Sequence, residues 1–325
     1  MNITLLFSSA GRRVELIRCF REAARQLGIN LKVIAIDMDP SWSPACQIAD
    51  QSYRVPHCTD IEFPDQVISI CKKHGVNLVI PTIDTELLVY SQNKDDFIKA
   101  GTEVMVSSEE FNRITRDKEA TAYILSRHGI PVPMTWPVKD IMMGQAHPSF
   151  PLILKPKEGS SSKGISIISN KYELNIKTED VERFVLQEIC AGREYTVNCF
   201  YDRSGNCVAC IPHLRKFVRD GEVCFAQTER IQAFTDMARK FSEIFNGIYA
   251  CVCYQGFLSN EGNVKVVEIN ARFGGGYPIC DHAGGTFAKW LLQDLTGQIP
   301  DYNDDWNEGV RMLRYDAAVF AKVSN

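Results

Sequence analysis

The first hundred residues alternate short apolar runs with amphipathic stretches, and this alternation restricts the fold more than any other feature of the chain. The apolar runs predict strands at 3–7, 32–36, 77–81 and 104–106. The amphipathic stretches predict helices at 16–27, near 67–71 and over 86–99. Strands that alternate with helices form right-handed crossovers and a parallel, doubly wound sheet. We therefore expect an N-terminal α/β lobe.

The carboxyl ends of these strands carry the polar residues of the lobe. They are the segments Ser8–Arg12, Asp37–Asp39 and Pro81–Glu86. Functional groups of doubly wound sheets gather at this edge. The first turn reads SSAGRR instead of G-x-G-x-x-G, so it lacks the glycines that let a pyrophosphate approach. A dinucleotide site is not expected.

The pattern changes in the second part of the chain. A helical stretch comes first, with Ser107 and Glu110 at capping-box spacing and Asp117 as the N-cap of a second helix. From Pro151, short strands alternate with tight turns such as DRSG, VRDGE and NEGN, which is typical of antiparallel structure. An α+β region is therefore expected after the α/β lobe.

Composition and charge narrow the class of protein. The 325 residues have a formal net charge of −4, which gives no electrostatic reason to expect a nucleic-acid partner. No apolar run is long enough to span a bilayer, so no membrane partner is expected. The 12 cysteines are scattered, and no secretory signal is apparent, which predicts free thiols and a cytoplasmic location.

The segment VKVVEINARFGGG, at 264–276, is the most informative about chemistry. Side chains two residues apart on a strand share a face, so Glu268 and Asn270 point the same way, and Arg272 follows them if the strand continues. Arg272 could contact a phosphate or a carboxylate. The glycines that follow offer unhindered backbone N–H groups to an anion.

The preceding strand, CVCYQGFL, brings a third oxygen ligand to this face. If Glu261 and Gly262 form a two-residue hairpin turn, Gln255 lies directly opposite Glu268. The carboxylate of Glu268 and the two amide groups of Gln255 and Asn270 then cluster on one face. Hard Mg²⁺ favours such oxygens and leaves positions for water and phosphate.

Two further segments suggest a phosphate or nucleotide site. In PLILKPKEGSSSKGI a strand leads to Lys155, and the small residues at 159–164 form a loop that could fold over phosphates, with Lys163 adding charge. It is not a classical P-loop. In FVLQEICAGRE, edge backbone groups near Glu188 to Cys190 could bind an adenine, and the carboxylate of Glu194 could hold ribose hydroxyls.

These motifs, in this order, resemble the ATP-grasp superfamily, and within it the single-unit ligases similar to the large subunit of carbamoyl-phosphate synthase. The resemblance covers nearly the whole chain. It implies a pre-ATP-grasp Rossmann-like domain at 1–107 and an ATP-grasp domain at 108–325, whose two antiparallel-sheet lobes clamp ATP. The lid subdomain would span about 117–188 and the metal-binding subdomain about 189–325.

The resemblance also implies residue roles. Arg272 would stabilise the transferring phosphoryl group, and Arg215, or its neighbour Lys216, would reach the γ-phosphate. Mg²⁺, for which Mn²⁺ could substitute, would be bound by Gln255, Glu268 and Asn270. Many relatives have an acidic residue in place of Gln255. ATP would be bound by Lys118, Lys155, the loop residues Gly159, Ser160, Ser161, Ser162, Lys163 and Gly164, and by Gln187, Glu188, Cys190 and Glu194.

The predicted activity is the ligation of a small-molecule carboxylate to an amine through an acyl phosphate, with release of ADP and phosphate. The alternatives are bicarbonate activation of the carbamoyl-phosphate-synthase type and a nucleotide sensor without turnover. A homodimer is possible, because relatives often dimerise. The residues considered for substrate contact are Asp84, Glu86, Gly274, Gly275, Gly276 and His282. Helix capping is an alternative for the two acidic residues, and a structural role for the histidine.

Overall fold

The N-terminal part is a five-stranded parallel sheet flanked by helices. The computed structural model describes residues 1–159 and 164–321. The strand order is β3-β2-β1-β4-β5, which confirms the predicted doubly wound lobe. Its elements are β1 (Asn2–Ser8), α1 (Val14–Gln26), β2 (Asn30–Asp37), α2 (Pro44–Ile48), β3 (Gln51–Arg54), α3 (Phe63–His74), β4 (Leu78–Pro81), α4 (Asp84–Gln92), α5 (Lys94–Lys99) and β5 (Glu103–Val104).

The strand order reverses beside β1. β2 and β3 lie on one side of β1, and β4 and β5 lie on the other. The loops that follow β1 and β4 are therefore neighbours, with Ser8 paired to Pro81. Ligands of open α/β sheets bind at such a switch point.

One predicted helix of this lobe is wrong. The stretch 86–99 forms two helices, α4 and α5, that meet at Asn93. The side-chain amide of Asn93 donates to the carbonyl of Val89 at 2.8 Å. Asparagine competes in this way with the backbone for hydrogen bonds, which favours a helix end over a helix interior.

Two helices and a small antiparallel sheet follow. The order of the sheet is β6-β9-β7-β8. The elements are α6 (Glu109–Arg116), α7 (Lys118–Arg127), β6 (Thr135–Pro137), α8 (Val138–Met142), β7 (Leu152–Pro156), β8 (Ser166–Ile168) and β9 (Phe184–Glu188), with 3-10 turns at Lys171–Glu173 and Thr178–Arg183.

Of the two helix caps predicted here, one is correct. Asp117 caps α7, accepting from the amides of Glu119 and Ala120 at 2.7 and 3.1 Å. The cap of α6 is Ser108 and not Ser107, so the predicted capping box is wrong by one residue. The hydroxyl of Ser107 instead accepts from the amide of Tyr249, which joins this segment to the C-terminal sheet.

The C-terminal part is a larger antiparallel sheet of order β14-β13-β10-β11-β12-β15. Together with the small sheet it confirms the predicted pair of antiparallel sheets. The elements are β10 (Arg193–Tyr201), β11 (Cys207–Arg219), β12 (Glu222–Thr228), α9 (Gln232–Ile244), β13 (Ala250–Leu258), β14 (Val264–Asn270), α10 (Tyr277–Ala283), α11 (Phe287–Leu295) and β15 (Arg311–Leu313).

The N-terminal and larger antiparallel sheets share their hydrophobic cores, whereas the small sheet has its own. Phe7 and Phe20 of the N-terminal lobe pack in one cluster with Phe273 and Tyr277 of the C-terminal part. The small sheet and α8 enclose a separate cluster. The predicted domain boundary at 107 falls between β5 and α6, and the predicted subdomain boundary at 188 falls at the end of β9. Both boundaries stay predictions. In the described ranges, no helix is long and apolar enough to cross a membrane.

Candidate active site

The hairpin β13–β14 holds the three predicted metal ligands on one face. Gln255 pairs with Glu268, as the sequence predicts. Asn270 lies two residues from Glu268, and its side-chain amide donates to Glu268 Oε1 at 3.1 Å. This hydrogen bond leaves the amide oxygen of Asn270 available. The face thus presents one carboxylate and two amide oxygens.

The turn of this hairpin differs from the prediction. The amide of Ser259 donates to the carbonyl of Asn263, so the loop has three residues and not two. Gly262, with φ of 86°, takes the left-handed position of such a loop. Near the turn, the pairing of β13 with β14 is therefore shifted by one residue from the predicted register. The shift ends at Val267, which has no partner on β13. This bulge restores the pairing of Gln255 with Glu268.

The donor set fits a hard divalent cation. Oxygen ligands from one carboxylate and two amides suit Mg²⁺, which keeps several positions for water and phosphate oxygens. Among the residues that the structure describes, no group of three His, Cys, Asp or Glu side chains is arranged to hold a metal. A soft or fully protein-coordinated ion is therefore a poorer match for this face.

Two buried lysines face the hairpin. Lys155 is only 5% exposed. Its pKa is lowered to about 8, mainly by burial and in smaller part by Lys118, while the Glu268 carboxylate opposes the shift. Lys118 donates to the carbonyl of Gly159 at 3.0 Å, which fixes its ammonium at the start of the loop. Two cations so placed can hold a polyanion.

A cavity of about 370 Å³ lies between the small sheet and β13–β14. Its apolar walls include Ile153, Ile165, Phe257 and Val267, none of which the motifs had indicated. These side chains come from β7, the residue before β8, β13 and β14, so the two sheets meet at this cavity only in the fold. The predicted residues that line the cavity are Lys118, Lys155, Gly159, Gln187, Glu188, Cys190, Glu194, Gln255 and Glu268.

Gln187 and Glu188, which are predicted to contact the adenine, already have partners for their side chains. The amide of Gln187 donates to the Thr135 hydroxyl at 2.9 Å. Glu188 forms an ion pair with Lys265 at 2.5 Å, and it accepts from the amide of Met134 at 3.1 Å. A ligand in this part of the cavity would therefore meet mainly backbone groups and the Cys190 thiol, whose pKa is raised by burial.

Glu194 and Arg215 form an ion pair that the sequence did not predict. Arg215 Nε lies 2.9 Å from Glu194 Oε1, and the arginine side chain is 8% exposed. Burial raises the pKa of Glu194 although Arg215 opposes the shift. Lys216 is exposed and is skipped in the pairing of β11 with β12. Of the two basic residues, Arg215 is therefore the one that is paired with a residue of the cavity lining, Glu194.

Arg272 is held by Asp84 across the domain boundary. Arg272 Nη2 lies 2.5 Å from Asp84 Oδ2, and the side chains are 11% and 19% exposed. Asp84 Oδ1 and Arg272 Nε are buried without hydrogen-bond partners in the described part of the chain. Asp84 Oδ2 therefore positions Arg272, and only Oδ1 is left for the predicted contact with a substrate amine.

Glu86 does not face a ligand, which corrects its predicted substrate contact. It is fully buried. Its Oε2 accepts from the hydroxyls of Ser8 and Ser9 at 2.6 and 2.8 Å, and its Oε1 accepts from the amide of Thr82 at 2.6 Å. Glu86 therefore ties the loop after β1 to the loop after β4.

The remaining predicted residues fall into three groups. His282 is exposed in the last turn of α10, and the described lining of the cavities does not include it, so its predicted substrate contact is not supported. Gly159 and Gly164 flank the loop, whereas Ser160, Ser161, Ser162 and Lys163 lie outside the described residues. Gly274, Gly275 and Gly276 pack tightly against polar side chains.

A second cavity, of about 660 Å³, adjoins the first. It is lined by Asp84, Asn112 and Asn270 among others, and Lys118 and Glu268 line both cavities. The predicted metal ligands therefore stand where the two cavities meet. One cavity could hold a nucleotide while the other holds the group that reacts with it.

The glycine run yields a prediction about stability. A methyl group at Gly275 would overlap Glu222 Oε2 and lie 2.8 Å from Arg13 Nη1. We expect Gly275→Ala to lower the free energy of unfolding by about 1–3 kcal/mol, the usual effect of overpacking, measured by urea denaturation. The same change in a Glu222→Ala background should cost less. An equal cost in both backgrounds would show that the overlap with Glu222 is not the cause.

Comparison with known proteins identifies the family. Residues 115–276 match the family model of the ATP-grasp domain. Residues 5–105 match the model of the PylC-like N-terminal domain. The chain belongs to the ATP-grasp superfamily, as the ordered motifs predict. ATP-grasp enzymes bind ATP together with Mg²⁺.

Two curated relatives illustrate the range of the superfamily. The formate-dependent phosphoribosylglycinamide formyltransferase of Bacteroides fragilis is 23% identical over 257 residues, which cover 74% of this chain and 64% of that protein. The D-alanine–D-alanine ligase of Fusobacterium nucleatum is 25% identical over 171 residues, 50% of this chain and 58% of that protein. Both matches span less than two thirds of the relatives' own lengths.

Solved structures share the fold. The biotin carboxylase domain dimer of the Hydrogenobacter thermophilus 2-oxoglutarate carboxylase, in complex with MgADP and bicarbonate, has a TM-score of 0.73 at 16% identity, covering 94% of this chain and 72% of that one. The L-amino acid ligase of Bacillus licheniformis has a TM-score of 0.67 at 16% identity, covering 90% and 74%.

Proposed function

We propose that this protein is an ATP-dependent ligase that joins a carboxylate to an amine, releasing ADP and phosphate. One observation carries the proposal: Gln255, Glu268 and Asn270 share a face beside the buried Lys155, where the two cavities meet. A carboxylate is a poor electrophile, and transfer of the γ-phosphoryl group converts it into an acyl phosphate with a good leaving group. An amine then attacks the acyl carbon.

The nucleotide would occupy the cavity of about 370 Å³. Its base would lie against Phe257, Val267 and the isoleucines of the small sheet, since flat apolar walls exclude water from both faces of a ring. Glu194, held by Arg215 at 2.9 Å, would accept from ribose hydroxyls through its other oxygen. The ammonium groups of Lys118 and Lys155 would hold the phosphates.

The three hairpin oxygens would hold Mg²⁺, which would supply charge neutralisation at the transferring phosphoryl group. The chain's own contribution is positioning. Arg272 is fixed by Asp84, so its guanidinium needs little reorganisation to face developing negative charge. The enclosed cavities would keep water away from the acyl phosphate, which otherwise hydrolyses.

The proposal is tested by ADP release from Mg-ATP across pools of amino acids and small carboxylates. We expect release that depends on both a carboxylate and an amine. Micromolar ADP binding without stimulated release from any pool would contradict a small-molecule ligase and favour a nucleotide sensor. Release stimulated by bicarbonate alone would favour the carbamoyl-phosphate-synthase alternative.

Lys155 makes nucleotide binding depend on pH. Its pKa in the unliganded protein is lowered to about 8 by burial, so above pH 8 it is increasingly neutral. Bound phosphates favour the charged form, and binding then takes up a proton. We expect the Kd of Mg-ADP to rise by up to about tenfold per pH unit above pH 8 until the pKa of the complex is reached, measured by calorimetry from pH 7 to 9.5.

Lys155→Arg provides the matched control, since a guanidinium stays protonated over this range. The Kd of that variant should change little between pH 8 and 9.5. A pH dependence of equal size in both proteins would show that Lys155 does not contact the phosphates.

A further inference from the structure

We propose that Arg13 and Arg314, which flank Glu222, bind an oxyanion group of a substrate, a carboxylate or a phosphate, that does not itself react. The inference rests on the proposed ligase function, because it assigns a second contact to the same substrate site. We call Arg13, Glu222 and Arg314 the arginine cluster. Its members come from the loop after β1, the start of β12 and the end of β15.

The cluster is only loosely paired. Arg13 Nη1 and Arg314 Nη1 each lie 3.4 Å from a different oxygen of Glu222. Charge-assisted hydrogen bonds are usually about 2.7–2.9 Å long. In the part of the chain that the structure describes, the contact to Glu222 is the only side-chain hydrogen bond of Arg13. Both guanidinium groups therefore keep N–H donors for another anion.

The cluster carries an excess of positive charge. Asp84 is paired with Arg272 at 2.5 Å, so Arg13 and Arg314 share the single carboxylate of Glu222. Burial raises the pKa of Glu222, but Arg13 and Arg314 outweigh that effect and the net shift is downward. In a chain of net charge −4, a local excess of cations calls for an anionic partner.

The geometry suits a small ligand. The side chains of Arg13, Glu222 and Arg314 are 20%, 28% and 32% exposed, so a ligand can reach them while their stems stay packed. Because Gly275 has no side chain, Glu222 and Arg13 can occupy the space that a Cβ atom would fill there. Its carbonyl also accepts from Arg314, which places the glycine run at the edge of the cluster.

The loop that carries Arg13 is held rigidly. The amide of Gly11 donates to Asp37 Oδ2 at 2.9 Å, and Ser9, whose hydroxyl donates to Glu86, adopts a left-handed φ of 49°. A strained residue persists where its surroundings fix it, and such positions concentrate at ligand sites. The loop therefore presents Arg13 with little entropy left to lose on binding.

The cluster contains none of the residues that are proposed to bind the metal ion or the phosphates of ATP. Arg272 lies near enough to interact electrostatically with both Glu268 and Arg13. A carboxylate that is phosphorylated must lie beside Glu268 and Lys155. We therefore assign an anion on Arg13 and Arg314 to a group other than the one that is phosphorylated. This arrangement fits the free carboxylate of an amino acid substrate, or a phosphate that the substrate carries.

The test measures binding of matched probes with Mg-ADP present. The probes are L- and D-amino acids, their decarboxylated amines, and phosphoethanolamine, and the readout is the rise in Tm. We expect at least one amino acid, or phosphoethanolamine, to raise the Tm, which identifies the anion as carboxylate or phosphate. The corresponding plain amine should not raise it.

Arg13→Gln and Arg314→Gln should each weaken this binding at least about tenfold. Arg18→Gln, on the exposed face of α1, should leave it unchanged. If either glutamine variant is unfolded without ligand, Arg13→Lys or Arg314→Lys replaces it, because lysine keeps the charge but loses the forked geometry. Shifts from no anionic probe, or shifts that survive both substitutions, would overturn the proposal.

Failure of this proposal is distinguishable from failure of the ligase function. ADP release that Arg13→Gln and Arg314→Gln leave unchanged would refute the anion site and leave the ligase intact. Binding of an amino acid that these variants abolish, without any ADP release, would support the site and refute the ligase.

Discussion

Replacing Glu268 by Gln is expected to reduce substrate-stimulated ADP release by about 100- to 1,000-fold, the usual effect of losing one group that stabilises transition-state charge. Glu268 supplies the one carboxylate among the three oxygen ligands and lines both cavities. Glutamine has nearly the same shape as glutamate but lacks the negative charge that favours binding of a divalent cation. Steady-state ADP release at saturating ATP measures the effect.

Glu261→Gln is the matched control, since it makes the same change at the exposed loop of the same hairpin. Its ADP release should equal that of the unsubstituted protein. Calorimetry with Mg²⁺ and ADP adds a readout that does not depend on turnover, and Glu268→Gln should weaken the Mg²⁺-dependent part of ADP binding. Unchanged turnover in Glu268→Gln would contradict the metal assignment.

Replacing Arg272 by Gln is expected to cost about 3–5 kcal/mol in the free energy of unfolding, because it leaves the Asp84 carboxylate largely buried without its partner. ADP release should also fall, since Arg272 is proposed to face the transferring phosphoryl group. Urea denaturation and ADP release measure the two effects separately. A variant as stable as the unsubstituted protein would show that the pair is solvated.

The double variant Arg272→Gln, Asp84→Asn separates stability from catalysis. Two neutral amides of similar shape need no charge partner, so most of the lost stability should return. ADP release should stay low, because the cation is still missing. Recovery of turnover together with stability would mean that Arg272 acts only through packing.

Local patterns predicted the parts of the site that lie close together in sequence. Side-chain alternation placed Glu268 and Asn270 on one face, and hairpin arithmetic placed Gln255 opposite Glu268. The arithmetic used the wrong turn, and it gave the right pair only because a bulge at Val267 cancels the longer loop. The isolated Gly256 lies next to this register shift, and a glycine inside a strand pattern often marks a bulge, so a signal was present that the arithmetic did not use.

The sequence could not predict contacts between distant segments. Glu86 was considered for substrate binding because it follows a strand end, but its burial depends on hydroxyls more than 70 residues away. Arg13, Glu222 and Arg314 meet only when three parts of the chain fold together. The charge of a single residue does not indicate its partner. The apolar walls of the cavity of about 370 Å³, such as Phe257, look like ordinary strand residues in the sequence for the same reason.

The most direct test of the proposed ligase follows oxygen from the carboxylate to phosphate. The substrate is a carboxylate labelled with ¹⁸O at both oxygens, chosen from the pool that stimulates ADP release, and the phosphate product is analysed by mass spectrometry. An acyl phosphate requires one labelled oxygen in the phosphate for each ADP formed. ADP formed with unlabelled phosphate, or AMP and pyrophosphate in its place, would contradict activation of a carboxylate by phosphoryl transfer.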